Sequence, residues 1–331
     1  MNRLRRYAIT DLGECEQLWR ALIPVRNIAD LWDFRACFNR HFKNKPYFVI
    51  LEDKRGIAAM LPLSYVEELD CYVFFPGETW HEKTWLERTP IFLREQRFFS
   101  DLILACPEKT HLRYMDNPII DDSQDIRIDE IGYVLYPALM DYEFDRYRER
   151  FSGKKFKEIR RVIQSFSAEG SVFHLNRISD FDHIVEMSLC CFGGDSYLRD
   201  RRFRESFRDV LNLLQANKRL RMISLEVDGK TAAVDMGALF NGTYTVFLGG
   251  THQDFKGIAK AINMHHIQFA FENKIPKIDF LCGDFHWKKI WHLDPEPLFA
   301  YLSPVLTVEN DLPIEKVEIV PDYIIDIPAY A

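Results

Sequence analysis

Apolar residues recur at spacings of three and four in "GECEQLWRALI" and again in "LWDFRACFNRHF". Residues 11–42 therefore predict two helices, parted at Pro24. The pattern then shifts to strands. "PYFVILEDKRGIAAMLPLSYV" predicts two strands around a turn at Asp53 to Gly56, and "CYVFFPG" a third that Pro76-Gly77 ends. "FLREQRFFSDLILACP" predicts a helix running into a strand. "THLRYMD" and "IGYVLYPA" predict further strands, separated by the acidic stretch "IIDDSQDIRIDE".

A second unit begins near Asp141. In "SGKKFKEIRRVIQSFSAEG" the residues Phe156, Ile159, Ile163 and Phe166 form a helical stripe, with Ser152 as N-cap and Gly170 as stop. A short strand, "VFHLNRI", leads into two amphipathic helices, "DFDHIVEMSLCCF" and "RRFRESFRDVLNLLQANK". Three strands follow in "LRMISLEVDGKTAAVDMGALFNGTYTVFLGG", joined by Asp228-Gly229 and Asn241-Gly242, both strong hairpin turns. A helix from Phe255 to Glu272 precedes the strand "KIDFLCG", and "LFAYLSPVLTV" adds one or two more. One helix joins "YTVFLGG" to "KIDFLCG", so these two strands are expected to be parallel neighbours. The fold class is α/β (α+β), a mixed sheet flanked by helices. The length of 331 residues suggests two domains, placed at 1–140 and 141–331.

Composition narrows the setting. Apolar residues make up 47% and charged residues 28%, as in a globular protein. The net charge of -7 argues against a large nucleic-acid partner. Seven cysteines without a CxxC, an N-terminus with no apolar core, and no run of 18 apolar residues place the chain in a reducing, cytoplasmic compartment without a membrane span. No HExxH occurs and Cys282 has no partner at ligand spacing, so no metal is expected.

The succession "KKFKEIRRVIQSFSAEG", "YTVFLGG", "DFKGIAKAINMHHIQFAFENK" and "IDFLCGDFHWKK" resembles the GNAT-superfamily acyltransferases, specifically a cellulose-biosynthesis-associated branch related to the aminoacyltransferases that build peptidoglycan bridges. The resemblance covers Phe151 to Trp291. It implies a GNAT-like domain there and a degenerate GNAT-like copy in the first 140 residues, two such domains in tandem. It further implies an acyl-CoA co-substrate (acetyl-CoA or longer) and an amine or hydroxyl acceptor, such as a cell-envelope saccharide or its precursor. Relatives that draw on aminoacyl-tRNA, and a non-catalytic scaffold in polysaccharide synthesis, are the alternatives.

By the same resemblance, the donor lies along Phe247, Leu248 and Gly249, with its pyrophosphate at the helix start formed by Lys256, Gly257, Ile258, Ala259 and Lys260. Free N–H groups and the helix dipole favour phosphate at such a place. The loop "THQDFKGIAKA" departs from the usual Gly-rich form, and Asp254 would repel an anion. Lys288 stands at the family's motif lysine, where a positive charge steadies developing negative charge. Asp284, at the end of a strand, and His286 or His252 are candidate bases. Trp287 would wall the pocket. Arg160 on the basic helix and Tyr197 in the loop "FGGDSYLRDRRF" are candidate acceptor contacts. Each of these also has a plain structural reading, as a solvated face or an ordinary turn.

Overall fold

The computed structural model describes residues 4–81, 83–116 and 126–303. The first unit runs β1 (Arg5–Ile9), α1 (Leu12–Leu22), α2 (Trp32–Phe42), β2 (Lys45–Asp53), β3 (Gly56–Val66), β4 (Cys71–Phe74), α3 (Phe98–Leu104), β5 (His111–Met115) and β6 (Ile126–Leu135). After α4 (Gly153–Ala168), the second unit runs β7 (Val172–Leu175), α5 (Phe181–Phe192), α6 (Arg201–Ala216), β8 (Leu220–Val227), β9 (Lys230–Phe240), β10 (Thr243–Thr251), α7 (Ala259–Glu272), β11 (Lys277–Cys282), α8 (His286–Ile290) and β12 (Asp294–Leu302). Each unit is thus a strand, two helices, a three-stranded meander, a helix and two further strands, with the short α8 between the last two in the second unit. The mixed sheets flanked by helices, in doubled order, match the architecture expected from the sequence.

Local chemistry sets these boundaries. The Asp11 carboxylate accepts the Glu14 N–H at the start of α1, Ser152 caps α4 through the Lys155 N–H, and Asp200 caps α6 through the Arg202 N–H. The β8–β9 and β9–β10 turns place Asp228 and Gly229, then Asn241 and Gly242, at positive φ, as tight primed turns require. Two helices are shorter than the pattern predicts. Only Phe98–Leu104 of the "FLREQRFFSDLILACP" stretch is α-helical, because Phe92–Leu93 instead pairs with Ala59–Met60 of β3. The helix expected from Phe255 begins at Ala259, after a turn with Gly257 at φ 91°. Most of the acidic stretch and everything past Ser303 lie outside the described residues.

The two units exchange their last strands. The larger sheet has the order β7-β8-β9-β10-β11-β6-β12-β5. Strand β6, which ends the first unit, pairs with β11 of the second, from Ile278 opposite Leu135 to Cys282 opposite Gly132. Strand β12, which ends the second unit, pairs with β6 and with β5 of the first. In the first unit β4 touches β5 in parallel at Tyr72 and Thr110, a counterpart of the β10–β11 pairing. The boundary drawn at 140/141 therefore falls after β6 but does not separate the sheets.

The units also share a core. Phe38 of α2 stands edge-on to Phe207 of α6 at 5.2 Å, and Phe42 edge-on to Phe203 at 4.9 Å. All four rings are buried, each contributing about 2–3 kcal/mol of burial. A chain lacking residues 1–140 should leave β11 and β12 without β6 and uncover the α6 rings. The expected outcome is loss of near-UV dichroism and of a cooperative urea transition. A cooperative transition in that fragment would show that the second unit folds unaided.

Candidate functional site

Strands β10 and β11 pair in parallel only from Thr243 to Thr245 against Lys277 to Asp279. Above that level both strands carry a bulge. On β10, Gly237 faces Val246 and Met236 faces Leu248, so Phe247 is the extra residue. On β11, Asp279 faces Val134 and Cys282 faces Gly132, with Leu281 held at φ 59°. Bulges bend a strand and sharpen its twist, so the two strands part into a wedge. Among the described residues no strand pairs with the β11-facing edge of β10 beyond Thr245. Gly237 is required for this shape, because a Cβ there would lie 2.4 Å from the Thr245 carbonyl oxygen.

Three charged side chains hold the bulged backbone of β11. Asp279 Oδ1 accepts the Leu281 N–H at 2.9 Å. Glu87 Oε1, from the first unit, accepts the Cys282 N–H at 2.6 Å. Lys288 Nζ donates to the Leu281 carbonyl at 2.8 Å and to the Cys282 carbonyl at 2.6 Å. Lys288 is 2% exposed, and its ammonium also faces the rings of Tyr133, Phe285 and Trp287. Burial lowers its pKa, and the negative charge of Glu87 opposes that shift.

Glu87 is fixed by its own loop. The buried Glu78 Oε1 accepts the N–H groups of Trp85 at 3.0 Å and Leu86 at 2.7 Å. The buried Arg35 reaches Thr89 Oγ1 at 2.9 Å and the carbonyls of Phe75 and Ala29 at 2.8 Å. Arg88 forms an ion pair with Glu296 at 2.8 Å and lies 3.8 Å from Asp279. Phe34 and Trp85 pack on Phe247 with ring centroids at 5.5 and 6.1 Å. A pocket of about 30 Å³ remains, bordered by Glu87, Thr245, Phe247, Asp279 and Leu281, room for about one water. Glu87 is 8% exposed, and its Oε2 has no hydrogen-bond partner among the described residues. Burial, then the nearby Asp279, raise its pKa to about 7.

The residues named from sequence are spread over several elements. Phe247 and Leu248 lie on β10 beside the wedge with their side chains in the core, which leaves their backbone and that of Gly249 along the open edge. At the start of α7, Lys256 and Gly257 are exposed, Ala259 is half-buried and Ile258 is core. Lys260 lies 3.6 Å from Glu158 of α4, which offsets its charge. His252 is exposed at the end of β10, its Nδ1 accepting the Asp254 N–H. After β11, His286 is exposed and Trp287 is half-buried, edge-on to Phe280. Asp284 accepts hydrogen bonds from Lys289 Nζ at 2.8 Å and the Tyr133 hydroxyl at 2.5 Å. Those partners hold its pKa below the usual carboxylate range, leaving it a weak proton acceptor. Arg160 is exposed on α4, and Tyr197 packs on Phe203 and Phe207. Among the described residues no group of three or more His, Cys, Asp and Glu side chains is placed to hold a metal, and no helix is long and apolar enough to cross a membrane.

Glu87, Glu78, Arg35 and Arg88 are the residues that sequence reasoning missed. The available signal was a charged pair, Glu87-Arg88, inside the otherwise apolar and aromatic "TWLERTPIFL".

Two outcomes follow for stability. Lys288→Met keeps the volume but strips two buried carbonyls of their donor, and should lower unfolding free energy by roughly 2–4 kcal/mol in urea titrations. An unchanged value would mean that the bulge does not depend on Lys288. Glu87 and Glu78 both have folded pKa values raised from 4.5 to about 7. The folded state therefore binds more protons in that window, and stability falls as pH rises through it. Glu87→Gln removes one of the two contributions, so the decline of unfolding free energy from about pH 5 to 8 should become shallower. An unaltered slope would exclude Glu87 as a group titrating there.

Residues 153–289 match the family model described as the acetyltransferase (GNAT) domain. No curated protein matches the sequence. Among solved structures, L-PGS from Bacillus licheniformis is similar at 12% identity over 89% of this chain and 93% of that one, with a TM-score of 0.55. FemX is similar at 10% identity over 89% and 97%, with a TM-score of 0.54. A tandem GNAT protein from the clavulanic acid biosynthesis pathway is similar at 10% identity over 90% and 98%, with a TM-score of 0.51. Residues 153–289 are thus similar to an acetyltransferase (GNAT) domain, the whole chain shares the fold of a tandem GNAT protein, and the two together support an acyltransferase.

Proposed function

We propose that the protein moves an acyl group from an acyl-CoA thioester to an amine or hydroxyl acceptor, with the donor lying along the wedge between β10 and β11. The observation that carries this reading is the parting of those strands after three paired residues. It leaves the β10 backbone from Val246 to Gly250 with an open edge, where the amide groups of a pantetheine arm can take the place of a strand. Helix α7, 14 residues long, starts just beyond β10, and its first N–H groups and dipole favour a phosphate. Lys256 adds charge there, while Asp254 opposes it. The acceptor approaches the wedge from the side of the first unit, and its nucleophilic atom attacks the thioester carbon as the C–S bond breaks. A cell-envelope saccharide or its precursor, in a cytoplasmic setting, is the acceptor that the sequence resemblance favours.

One observation favours a second reading, an aminoacyl-tRNA donor. Lys154, Lys157, Arg160 and Arg161 are all exposed on α4, whose Val162 lies against Gly257 at the start of α7. This basic face suits a larger polyanion.

Calorimetric titration separates the two. Acetyl-CoA or a longer acyl-CoA should bind, and Lys256→Glu should weaken that binding about two- to tenfold, more at low salt. Binding of charged tRNA with no heat from any acyl-CoA would favour the second reading. Binding of neither would leave a scaffold role.

A further inference from the structure

We infer that Glu87, supplied by the first unit, is the proton acceptor of the transfer step; this rests on the acyl-transfer reading above. The geometry has four parts. Glu87 borders the pocket at the opening of the wedge, together with Thr245 and Phe247 of β10 and Asp279 and Leu281 of β11. Its Oε1 is anchored on the Cys282 N–H, so the carboxylate is oriented before any substrate arrives. Its Oε2 is buried and has no hydrogen-bond partner of good geometry among the described residues, the Cys282 thiol being the weak donor beside the carboxylate. Finally, its loop is clamped on both sides, by Glu78 at Trp85 and Leu86 and by Arg35 at Thr89. An unsatisfied buried carboxylate oxygen is costly, and a tightly built loop that leaves one is explained by a ligand group that completes it.

The surroundings suit the task. Asp279, Arg88, the Cys282 thiol and Lys288 face Glu87, with Glu130 close to Cys282 and Lys288. Burial and Asp279 favour the neutral acid, while the Cys282 N–H and thiol and the charge of Arg88 limit that effect. The resulting value near 7 leaves about half of the carboxyl ionised at neutral pH and able to take up a proton in the reaction. The bases named from sequence are less apt. Asp284 is held ionised by Lys289 and Tyr133, and His252 and His286 are exposed to solvent.

The step balances as follows. The acceptor N–H or O–H gives its proton to Glu87 Oε2 as its lone pair forms the bond to the thioester carbon. The C–S bond then breaks with its electron pair on sulfur. Glu87 returns the proton to the thiolate, giving free thiol and restoring the carboxylate.

Glu87→Gln tests this, since it keeps an oxygen for the Cys282 N–H and removes the basicity. Release of free CoA from acetyl-CoA would be followed with water, ethanolamine and glucosamine as probe acceptors, beside acetyl-CoA affinity by calorimetry. The wild type should show a rate that climbs with pH up to about 7. E87Q should bind acetyl-CoA within about twofold, lose roughly 10²- to 10⁴-fold in turnover and lose that pH limb. E87Q turning over within about threefold of wild type, with the limb retained, would overturn the assignment while leaving the acyl-transfer reading intact. Wild type that binds acetyl-CoA but releases no CoA with any probe would overturn the assignment as well, and a lack of binding would overturn the reading beneath it. If E87Q fails to fold, the wild-type profile decides: a flat rate from about pH 6 to 8 excludes Glu87.

Discussion

The N–H and C=O groups of Leu281 and Cys282 are held by three charged side chains: Asp279, Glu87 and Lys288. A strand that leaves its parallel neighbour exposes such groups, and burying them unpaired would cost several kcal/mol. Here two carboxylates accept the two N–H groups and one ammonium donates to both carbonyls. The arrangement lets β11 keep a left-handed Leu281 and bend away from β10. The charges also offset one another, which makes the burial of Lys288 tolerable. Because Glu87 comes from the first unit, the wedge exists only when both units are assembled.

Strand exchange enforces that assembly. With β6 lying between β11 and β12, the second unit has no complete sheet of its own. Helix α2 reinforces the dependence by placing Phe38 and Phe42 on α6. The first unit thus does more than repeat the second. Its own β4–β5 parallel contact is confined to Tyr72 and Thr110, and its loop from Trp85 to Thr89 closes one side of the second unit's wedge.

Much of this fold was legible in the sequence where local rules dominate. Asp228-Gly229 and Asn241-Gly242 set their turns through positive φ, and one helix between "YTVFLGG" and "KIDFLCG" implied the parallel pair. The segment after β11 carries its lysine inward, onto the bulged backbone. A lysine beside a strand end reads equally as substrate ligand or backbone donor, and only the carbonyls 2.6 and 2.8 Å from its Nζ separate the two. Glu87 was invisible for a different reason. Its contact with Cys282 spans 195 positions, and no periodicity in "TWLERTPIFL" signals that the chain will turn inward there. The exchange of β6 and β12 was hidden likewise, since alternating apolar residues fix which face of a strand is buried but not which sheet it joins.

The claim on which the account depends is that the parting of β10 and β11 is the donor site. Amide hydrogen exchange, with and without saturating acetyl-CoA, tests it most directly. The account predicts slowed exchange in two connected places, the β10 segment from Val246 to Gly250 and the start of α7 from Ala259 to Ala261, with little change in β1 to β3. Bound acetyl-CoA that leaves both segments unaltered, or protects the first unit's β4 and β5 instead, would contradict it.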